Sequence, residues 1–434
     1  MKVTVLGTWH LGSVTAACLA ALGHEVTGVD ADRGVIAGLA QGRAPLFEPG
    51  LDELLQAGLQ QGQLHFLDEC EQAFAGADIL WVTYDTPVDE EDRADTRVVL
   101  DAVKRVLPWL APRTLVLVSS QLPVGSVAGL EAHAACHLAR HALEFACAPE
   151  NLRLGQAVEV FMRPDRVVVG VRSTQARERV QRLLDPLAPR IEWMSVESAE
   201  MTKHAINAFL ATSVSWANEV ASLCEVVGAD GREVARGLKS EARIGPRAYV
   251  SPGAAFAGGT LARDVAYLGD IAQRYGLRAP LLQAVGPSNE THKSWARRKL
   301  ERQLGGLAGA RIALWGLAYK AGTSTLRRSW MVELCDGLLE QGAQVYAFDP
   351  HVAQWPARWA AVVRRCQSPV QAAEAAQALV VGTSWPEFRS AAQALAEGKD
   401  PPAVVLDPAG ALAGQTWPAG VSYLSVGTPD AVRA

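Results

Sequence analysis

A lysine and an asparagine four residues apart are the first pair of side chains that could act together on a substrate. Lys203 and Asn207 lie in a helical pattern that runs from about residue 198 to 228 without proline or glycine before its end. Residues at this spacing project from one face of a helix. An ammonium group beside a carboxamide can stabilise an oxyanion by charge and by hydrogen bonding. The alternative is that both side chains lie on a solvated helix face.

A glycine turn near the N-terminus has the setting of a dinucleotide-binding site. Residues Gly7–Gly12 follow a predicted strand, Val3–Leu6, and lead into a helix predicted to begin near Ser13. The next predicted strand ends at Asp30. This order of strand, glycine turn, helix and acidic residue is typical of an NAD fingerprint, in which the carboxylate binds the ribose 2′-hydroxyl.

Trp9 departs from that fingerprint. A glycine is expected there because the missing side chain lets the backbone approach the pyrophosphate. An indole should block this approach or force the loop outward. Two interpretations stay open at this point: a turn that still binds NAD, and an α/β turn that has lost its cofactor.

Five apolar runs in the first part of the chain alternate with amphipathic helical stretches. This alternation favours a parallel sheet that is covered by helices on both faces. Glu150 follows the last run and a proline, near the carboxyl end of the sheet where binding sites gather. A surface glutamate is the alternative. The predicted strands are Val3–Leu6, Glu25–Asp30, Ile79–Thr83, Thr114–Ser119 and Phe145–Cys147.

The same pattern begins again at Arg311. A predicted strand over Arg311–Trp315 leads into a loop at Gly316, a helix over Ser329–Gln341 and a strand over Gln344–Phe348. We therefore predict an α/β fold with two Rossmann-like, doubly wound parallel-sheet domains, joined by a long central helix and a helical middle domain. The predicted domains are residues 1–197, 198–307 and 308–434.

Composition and charge exclude several classes of protein. The formal net charge is −5 and no Lys/Arg-rich block is present, which argues against a nucleic-acid surface. No apolar stretch reaches the ~18 residues that span a bilayer, and the N-terminus leaves no room for a signal peptide. The seven cysteines are scattered without C-x-x-C spacing. This pattern predicts reduced thiols in a cytoplasmic protein, with no disulfide framework and no metal site.

Short motifs along nearly the whole chain point to one family. They are Pro45–Leu51, Thr86–Pro87, Ser120–Gly125, Pro149–Arg153, Arg163–Arg166, Glu200–Phe209, Arg243–Gly245, Pro252–Asp264, Gly316–Lys320, Arg327 and Phe348–Pro350. Each is weak evidence by itself. In this order and at this spacing, the set resembles the UDP-glucose/GDP-mannose dehydrogenase family.

The resemblance implies an NAD-dependent enzyme that oxidises C6 of a nucleotide-linked hexose from alcohol to acid in two hydride transfers. It implies that residues 1–197 bind NAD, that 198–307 form a homodimer, and that 308–434 bind the nucleotide sugar. The matching catalytic positions are Lys203, Asn207, Glu150, Asp264, Thr260 and Gln121. The matching cofactor positions are Gly7, Gly12, Asp30, Arg33, Thr86 and Arg327. The matching substrate positions are Arg243, Phe256, Gly258 and Lys320.

Thr260 is the most consequential departure from the family pattern. The family motif F-G-G-S-C-x-P-K-D has a nucleophilic cysteine where Phe256–Asp264 has Thr260. A thiol with a reference pKa of about 8.5 supplies a thiolate that captures an aldehyde, whereas a secondary hydroxyl is far less acidic. Gln121 similarly replaces a threonine that helps to bind the catalytic water. We therefore predict that acid formation by the family route is lost or greatly reduced.

Three functions remain open from the sequence. The first is an oxidoreductase that stops after one hydride transfer. The second is a catalytically inactive nucleotide-sugar-binding protein, acting as a sensor or as a partner subunit. The third is a structural homodimer in which both sites are vestigial.

Overall fold

The short apolar runs of the N-terminal part form a single eight-stranded sheet. Its strand order is β3-β2-β1-β4-β5-β6-β7-β8. Neighbouring strands from β3 to β6 are parallel, whereas β7 pairs antiparallel with β6 and parallel with β8. The strands are β1 Lys2–Leu6, β2 Glu25–Asp30, β3 Leu64–Asp68, β4 Ile79–Val82, β5 Leu115–Val118, β6 Glu144–Cys147, β7 Val167–Val171 and β8 Ile191–Met194.

The computed structural model describes residues 1–87, 89, 94–150, 152–187, 189–257 and 259–429. The chain divides into two compact units, Met1–Ala205 and Ile206–Ala434. Each unit contains one sheet.

Helices cover both faces of the first sheet. On β1, Val3 and Val5 belong to one buried cluster and Leu6 belongs to another, because successive side chains of a strand point to opposite faces. This double covering explains why the inner strands β4 and β5 are wholly apolar. The helices of this unit are α1 His10–Ala21, α2 Arg33–Leu39, α3 Leu51–Gln60, α4 Thr96–Val106, α5 Ser126–His137, α6 Ala157–Met162 and α7 Thr174–Leu184.

The 32-residue helix α8, Val196–Val227, contains the boundary between the two units. The segment that follows it is built from helices. They are α9 Gly231–Ser240, α10 Thr260–Arg274, α11 Pro280–Lys293 and α12 Trp295–Leu304. None of the helices that the structure describes combines the length and hydrophobicity needed to cross a membrane.

The second sheet has six parallel strands in the order β11-β10-β9-β12-β13-β14. Its strands are β9 Arg311–Trp315, β10 Gln344–Phe348, β11 Val363–Arg365, β12 Ala378–Val381, β13 Val404–Leu406 and β14 Ser422–Leu424. Its helices are α13 Trp330–Glu340, α14 Pro369–Ala373 and α15 Glu387–Ala396. Alternate residues of β9 again belong to two different buried clusters, so this sheet is also doubly wound.

The predicted fold class is confirmed, with two differences in detail. Helix α1 begins at His10 and not near Ser13, because the Ser13 N–H already donates to the Trp9 carbonyl at 2.9 Å. The first sheet is not wholly parallel, since Cys147 of β6 lies opposite Gly170 of an antiparallel β7. The predicted boundaries 1–197, 198–307 and 308–434 stay predictions.

The turn after β1 is closed by hydrogen bonds to the two neighbouring strands. The Gly7 N–H donates to the Val29 carbonyl at 2.9 Å, and the Thr8 N–H donates to the Asp30 carboxylate at 2.7 Å. On the other side, the Thr83 hydroxyl donates to the Gly7 carbonyl at 2.7 Å. Gly7 has a φ of +92°, which a side chain would strain.

The turn after β9 repeats this arrangement in the second unit. The Gly316 N–H donates to the Phe348 carbonyl at 2.9 Å, and the Leu317 N–H donates to the Asp349 carboxylate at 2.7 Å. The Thr383 hydroxyl donates to the Ala318 carbonyl at 2.6 Å. Both units therefore close the edge of the sheet where α/β ligand sites form in the same way.

Gly12 makes the closest backbone approach in the first turn, and its replacement tests the packing. A Cβ there would lie 1.8 Å from the Gly7 carbonyl oxygen. We expect Gly12→Ala to lower the free energy of unfolding by about 1–3 kcal/mol through overpacking. The measurement is urea unfolding followed by tryptophan fluorescence. Gly129→Ala in α5 is the control, because a Cβ there meets nothing within 4 Å. Equal midpoints for the two variants would contradict the packing shown here.

Candidate functional site

The Asp30 carboxylate is used by the protein itself to hold the glycine turn. One oxygen accepts from the Thr8 N–H at 2.7 Å and from the Thr8 hydroxyl at 3.4 Å, and the other accepts from the Asp32 N–H at 3.0 Å. A carboxylate has about four acceptor positions, so these bonds leave capacity for one ribose hydroxyl. Asp30 therefore fits the role predicted for it and also shapes the turn.

Trp9 is accommodated without displacing the turn from its hydrogen bonds. It is the N-cap residue of α1, with a φ of −63° that any side chain tolerates. Its side chain makes no capping hydrogen bond and is 45% exposed. The first N–H groups of α1 are thus available to an anion such as a pyrophosphate. The backbone of the turn therefore fits a dinucleotide.

The remaining predicted cofactor residues of the first unit differ in their surroundings. Arg33 is exposed at the start of α2, and its Nε lies 3.5 Å from the Asp68 carboxylate. Thr86 is buried after β4, and its hydroxyl donates to the Gln121 carbonyl at 2.7 Å. The structure thus brings Thr86 and Gln121 together at the carboxyl ends of β4 and β5.

Lys203 and Glu150 are brought together at the start of α8. The Lys203 Nζ donates to the Glu150 backbone carbonyl at 2.7 Å. The Glu150 carboxylate accepts a hydrogen bond from the Leu152 N–H. Burial raises the pKa of Glu150, although the Lys203 ammonium and the Leu152 N–H both act to lower it. The predicted lysine and glutamate therefore form one charged cluster.

Residues next to Lys203 anchor this part of α8 to the loop after β5. The Glu200 carboxylate accepts from the Gly125 N–H at 2.7 Å and from the Val127 N–H at 3.0 Å. The His204 ring lies 2.9 Å from the Leu122 carbonyl through Nε2. Because both neighbours are buried and hydrogen-bonded, the backbone that carries Lys203 has little freedom.

Glu48 joins the glycine turn to the segment after β6. Its buried carboxylate lies 2.9 Å from His10 Nε2 and accepts from the Gly155 and Ala157 N–H groups, each at 2.8 Å. Sequence reasoning placed Glu48 in a motif but assigned it no role. The sequence feature that could have identified it is that Glu48 is a charged residue inside an otherwise uncharged segment, Pro45–Leu51.

The second unit holds the other predicted catalytic residues on α8 and α10. The Asn207 amide donates to the Asp264 carboxylate, and both residues are buried. Thr260 is the first residue of α10 and is exposed, one turn before Asp264. A helix N-terminus stabilises a thiolate, whereas a neutral hydroxyl gains little from it. This position suits a cysteine nucleophile better than the threonine that occupies it.

The loop before α10 is held by polar side chains from two helices. Both backbone groups of Phe256 are hydrogen-bonded to the Asn289 side chain at 2.9 Å. Gly258, predicted to contact the substrate, lies outside the described residues. Asn151 of the motif after β6 lies outside them as well. Sequence reasoning did not identify Asn289. The feature that could have identified it is a polar residue on the buried face of a helix.

The predicted basic residues of the second unit lie at two places along the chain. Lys320 and Arg327 belong to the loop after β9, which corresponds to the glycine turn of the first unit. The Lys320 ammonium lies 5.6 Å from the centre of the Tyr319 ring. Arg243, far from them in sequence, is highly exposed and forms an ion pair with Glu241 at 2.9 Å.

The cysteines offer no replacement for a thiol at position 260. All seven are free thiols that form no disulfide bond. Cys224, the nearest in sequence to Thr260, is buried on α8. Burial raises the pKa of Cys18 to about 12 and that of Cys147 well above its usual range. Within the described residues, no group of three or more His, Cys, Asp or Glu side chains could hold a metal ion.

The raised pKa of Glu150 predicts a pH-dependent effect on stability. The folded protein retains this proton to a higher pH than the unfolded chain, whose glutamate pKa is about 4.3. Ionisation of Glu150 therefore has no effect on stability below pH ~4. The cost in stability grows as the pH rises from the unfolded to the folded pKa, and it is complete above the folded pKa. We expect Glu150→Gln to unfold at higher urea than the natural protein at pH 8, with the difference shrinking toward pH 4. The exposed residue Glu53 supplies the control, Glu53→Gln. A difference that is independent of pH would contradict this assignment.

Comparison with known proteins places all three parts of the chain in one family. Residues 1–188 match the UDP-glucose/GDP-mannose dehydrogenase family NAD binding domain. Residues 197–291 match the central domain of that family, and residues 313–413 match its UDP binding domain.

Individual relatives are similar over nearly their whole length. A UDP-glucose 6-dehydrogenase of Pseudomonas aeruginosa is 36% identical over 403 residues, covering 90% of this chain and 89% of the relative. One from Rhizobium meliloti is 34% identical over 400 residues, covering 90% and 91%. The structure of a UDP-glucose dehydrogenase from Pyrobaculum islandicum superimposes with a TM-score of 0.82 at 32% identity, covering 89% and 91%. The chain thus belongs to the UDP-glucose/GDP-mannose dehydrogenase family.

Proposed function

We propose that this protein is an NAD-dependent oxidoreductase of nucleotide-linked hexoses, similar to UDP-glucose 6-dehydrogenase but limited to the first two-electron step. The observation that carries the proposal is an ordered set of catalytic side chains that lacks a thiol. Lys203 and Asn207 lie one turn apart on α8, each held by a partner, while α10 begins with Thr260. Residues 1–197 would bind NAD, 198–307 would form the dimer, and 308–434 would bind the nucleotide.

The Lys203 and Asn207 side chains account for the first oxidation. Bound NAD would supply the hydride acceptor for C6 of the sugar. The hydroxyl proton leaves to solvent, and the carbon–oxygen single bond becomes a carbonyl. The Lys203 ammonium stabilises the negative charge that develops on the sugar oxygen, and the Asn207 amide donates a hydrogen bond to it. Gln121 and Glu150 hold water at the edge of the sheet.

Thr260 explains why the reaction stops at that stage. The second oxidation in this family depends on a thiolate that adds to the aldehyde. A threonine hydroxyl is a weak nucleophile unless a base activates it. Asp264, one turn away, already accepts a hydrogen bond from Asn207. The aldehyde therefore forms no covalent adduct and is released or reduced back.

The basic residues of the second unit suit a nucleoside diphosphate. Lys320 and Arg327 follow β9, where ammonium and guanidinium groups are natural partners of phosphate oxygens. Arg243 is exposed and matches a position at which the family binds the sugar nucleotide. Phe256 supplies an aromatic side chain beside a backbone that Asn289 fixes.

Apolar side chains along α8 support a homodimer. Phe209, Trp216 and Leu223 are 69%, 44% and 64% exposed and recur every seven residues. This repeat forms one stripe on a helix, which is typical of helix pairing. We propose that the stripe packs against the same stripe of a second copy.

Trp9 favours a second candidate function, a nucleotide-sugar-binding protein that does not turn over. If the indole excludes NAD, the nucleotide-sugar half of the site still has its basic residues. The two functions differ in whether NAD binds and whether NADH appears.

Replacing Trp9 tests how much the indole opposes the cofactor. We expect Trp9→Gly to lower the Kd for NAD by about tenfold, because the pyrophosphate can then approach the backbone of the turn. Isothermal titration measures the affinity. Trp9→Phe is the matched control, since it keeps a bulky ring and should bind NAD as the natural protein does. Equal affinity in all three proteins would show that Trp9 does not obstruct NAD.

Restoring the thiol tests the assignment of Thr260. We expect the natural protein to release no more than one NADH per UDP-glucose. Thr260→Cys combined with Trp9→Gly should release two and form a uronic acid detectable by mass spectrometry. Ala262→Cys in the Trp9→Gly background controls for the mere presence of a thiol in α10. Release of two NADH per sugar by the natural protein would refute the proposed limit to one oxidation. Binding of UDP-glucose in the absence of NAD, with no NADH formed when NAD is added, would favour the second function.

A further inference from the structure

Three buried polar side chains converge on one loop of the second unit. Asn218 of α8 is 1% exposed, and Asn289 and His292 of α11 are 3% and 8% exposed. Polar groups are seldom buried this fully unless they make hydrogen bonds. All three bond to backbone atoms of residues 253–256, which we name the 253–256 loop.

Two of these side chains hold the start of the loop. The Asn218 Oδ1 accepts from the Gly253 N–H at 2.9 Å, and the Asn218 amide donates to the Ala254 carbonyl at 3.4 Å. The His292 Nε2 lies 2.8 Å from the Gly253 carbonyl. Burial lowers the pKa of His292, which favours a neutral ring. Because a carbonyl only accepts, the proton of that ring lies on Nε2.

Asn289 holds the end of the loop with both functional groups of its amide. Its Oδ1 accepts from the Phe256 N–H and its Nδ2 donates to the Phe256 carbonyl, each at 2.9 Å. This pairing copies the two hydrogen bonds that one residue exchanges with its opposite in an antiparallel sheet. It fixes the peptide groups on both sides of one side chain. That side chain, Phe256, is predicted to contact the sugar nucleotide.

We infer that Asn289, with Asn218 and His292, are positioning residues that preform the 253–256 loop for sugar-nucleotide binding. They act through the backbone and contact no reacting atom. The inference rests on the proposed function. Ordering a loop costs conformational entropy, so a loop already ordered in the free protein leaves more of the binding energy for affinity.

The experiment compares loop order and ligand affinity in the full-length protein. Hydrogen exchange with mass spectrometry reports the Gly253 and Phe256 amides, and isothermal titration reports the Kd for UDP-glucose. We expect Asn289→Ala to speed exchange of the loop and to weaken UDP-glucose binding, each by about tenfold. The matched control is Ser215→Ala. Ser215 is also buried, and its hydroxyl links α8 to α11 by donating to the Val285 carbonyl and not to the 253–256 loop.

Conservative variants keep the test valid if Asn289→Ala fails to fold. His292→Gln retains a donor for the Gly253 carbonyl and should keep natural exchange and affinity, whereas His292→Ala should lose both. Asn289→Asp places a buried carboxylate opposite the Phe256 carbonyl oxygen, so it should loosen the loop and weaken UDP-glucose binding at least as much as Asn289→Ala. Rescue by glutamine separates positioning from a general loss of stability.

Two outcomes would overturn the inference alone. One is unchanged exchange of the loop in Asn289→Ala and His292→Ala. The other is faster exchange with the UDP-glucose affinity of the natural protein, which would make the contacts purely structural. Failure of the natural protein itself to bind UDP-glucose would overturn the proposed function and this inference together. The natural protein and the variants thus distinguish the two failures.

Discussion

A buried carboxylate that accepts backbone N–H groups is the interaction on which both halves of the molecule depend. Asp30 ends β2 and Asp349 follows β10, and each accepts a hydrogen bond from a backbone N–H in the glycine turn after the adjacent strand. These bonds set where the chain leaves β1 and β9, and so where the covering helices begin. A charge-assisted hydrogen bond of this kind is roughly twice as strong as a neutral one. The carboxyl edge of each sheet is therefore rigid before any ligand arrives.

The same device recurs around the site in longer-range form. Glu48 and Glu200 hold loops of the first unit through their backbone N–H groups, and Asn289 holds a loop of the second. In each case a buried polar side chain makes the backbone hydrogen bonds that a neighbouring strand would make in a sheet. Loops that carry binding residues gain order this way without becoming part of a sheet. Buried polar groups thus order the loops that lie beside the predicted site residues.

Sequence patterns predicted the bounds of some strands, although other strands that are fully buried, such as β12 and β13, were not predicted. The strands Glu25–Asp30, Arg311–Trp315 and Gln344–Phe348 have the predicted bounds. Strand β11 was not predicted, because two of its three residues are exposed arginines on the edge of the sheet. The pairing of Lys203 with a backbone carbonyl was not predictable either, since its partner lies 53 residues earlier. Periodicity reports which face is buried, but contacts between distant segments depend on the tertiary fold.

The threonine at the start of α10 also bears on how the protein responds to oxidants. A thiolate at a helix N-terminus is the kind of group that peroxide and alkylating agents modify first. Here such reagents would meet Cys136, which is exposed on α5, and the partly exposed Cys70, whereas the other five cysteines are buried. A hydroxyl at position 260 cannot be oxidised to a sulfenic acid. Under the proposed function, hydride transfer would therefore not depend on the oxidation state of the residue at this position.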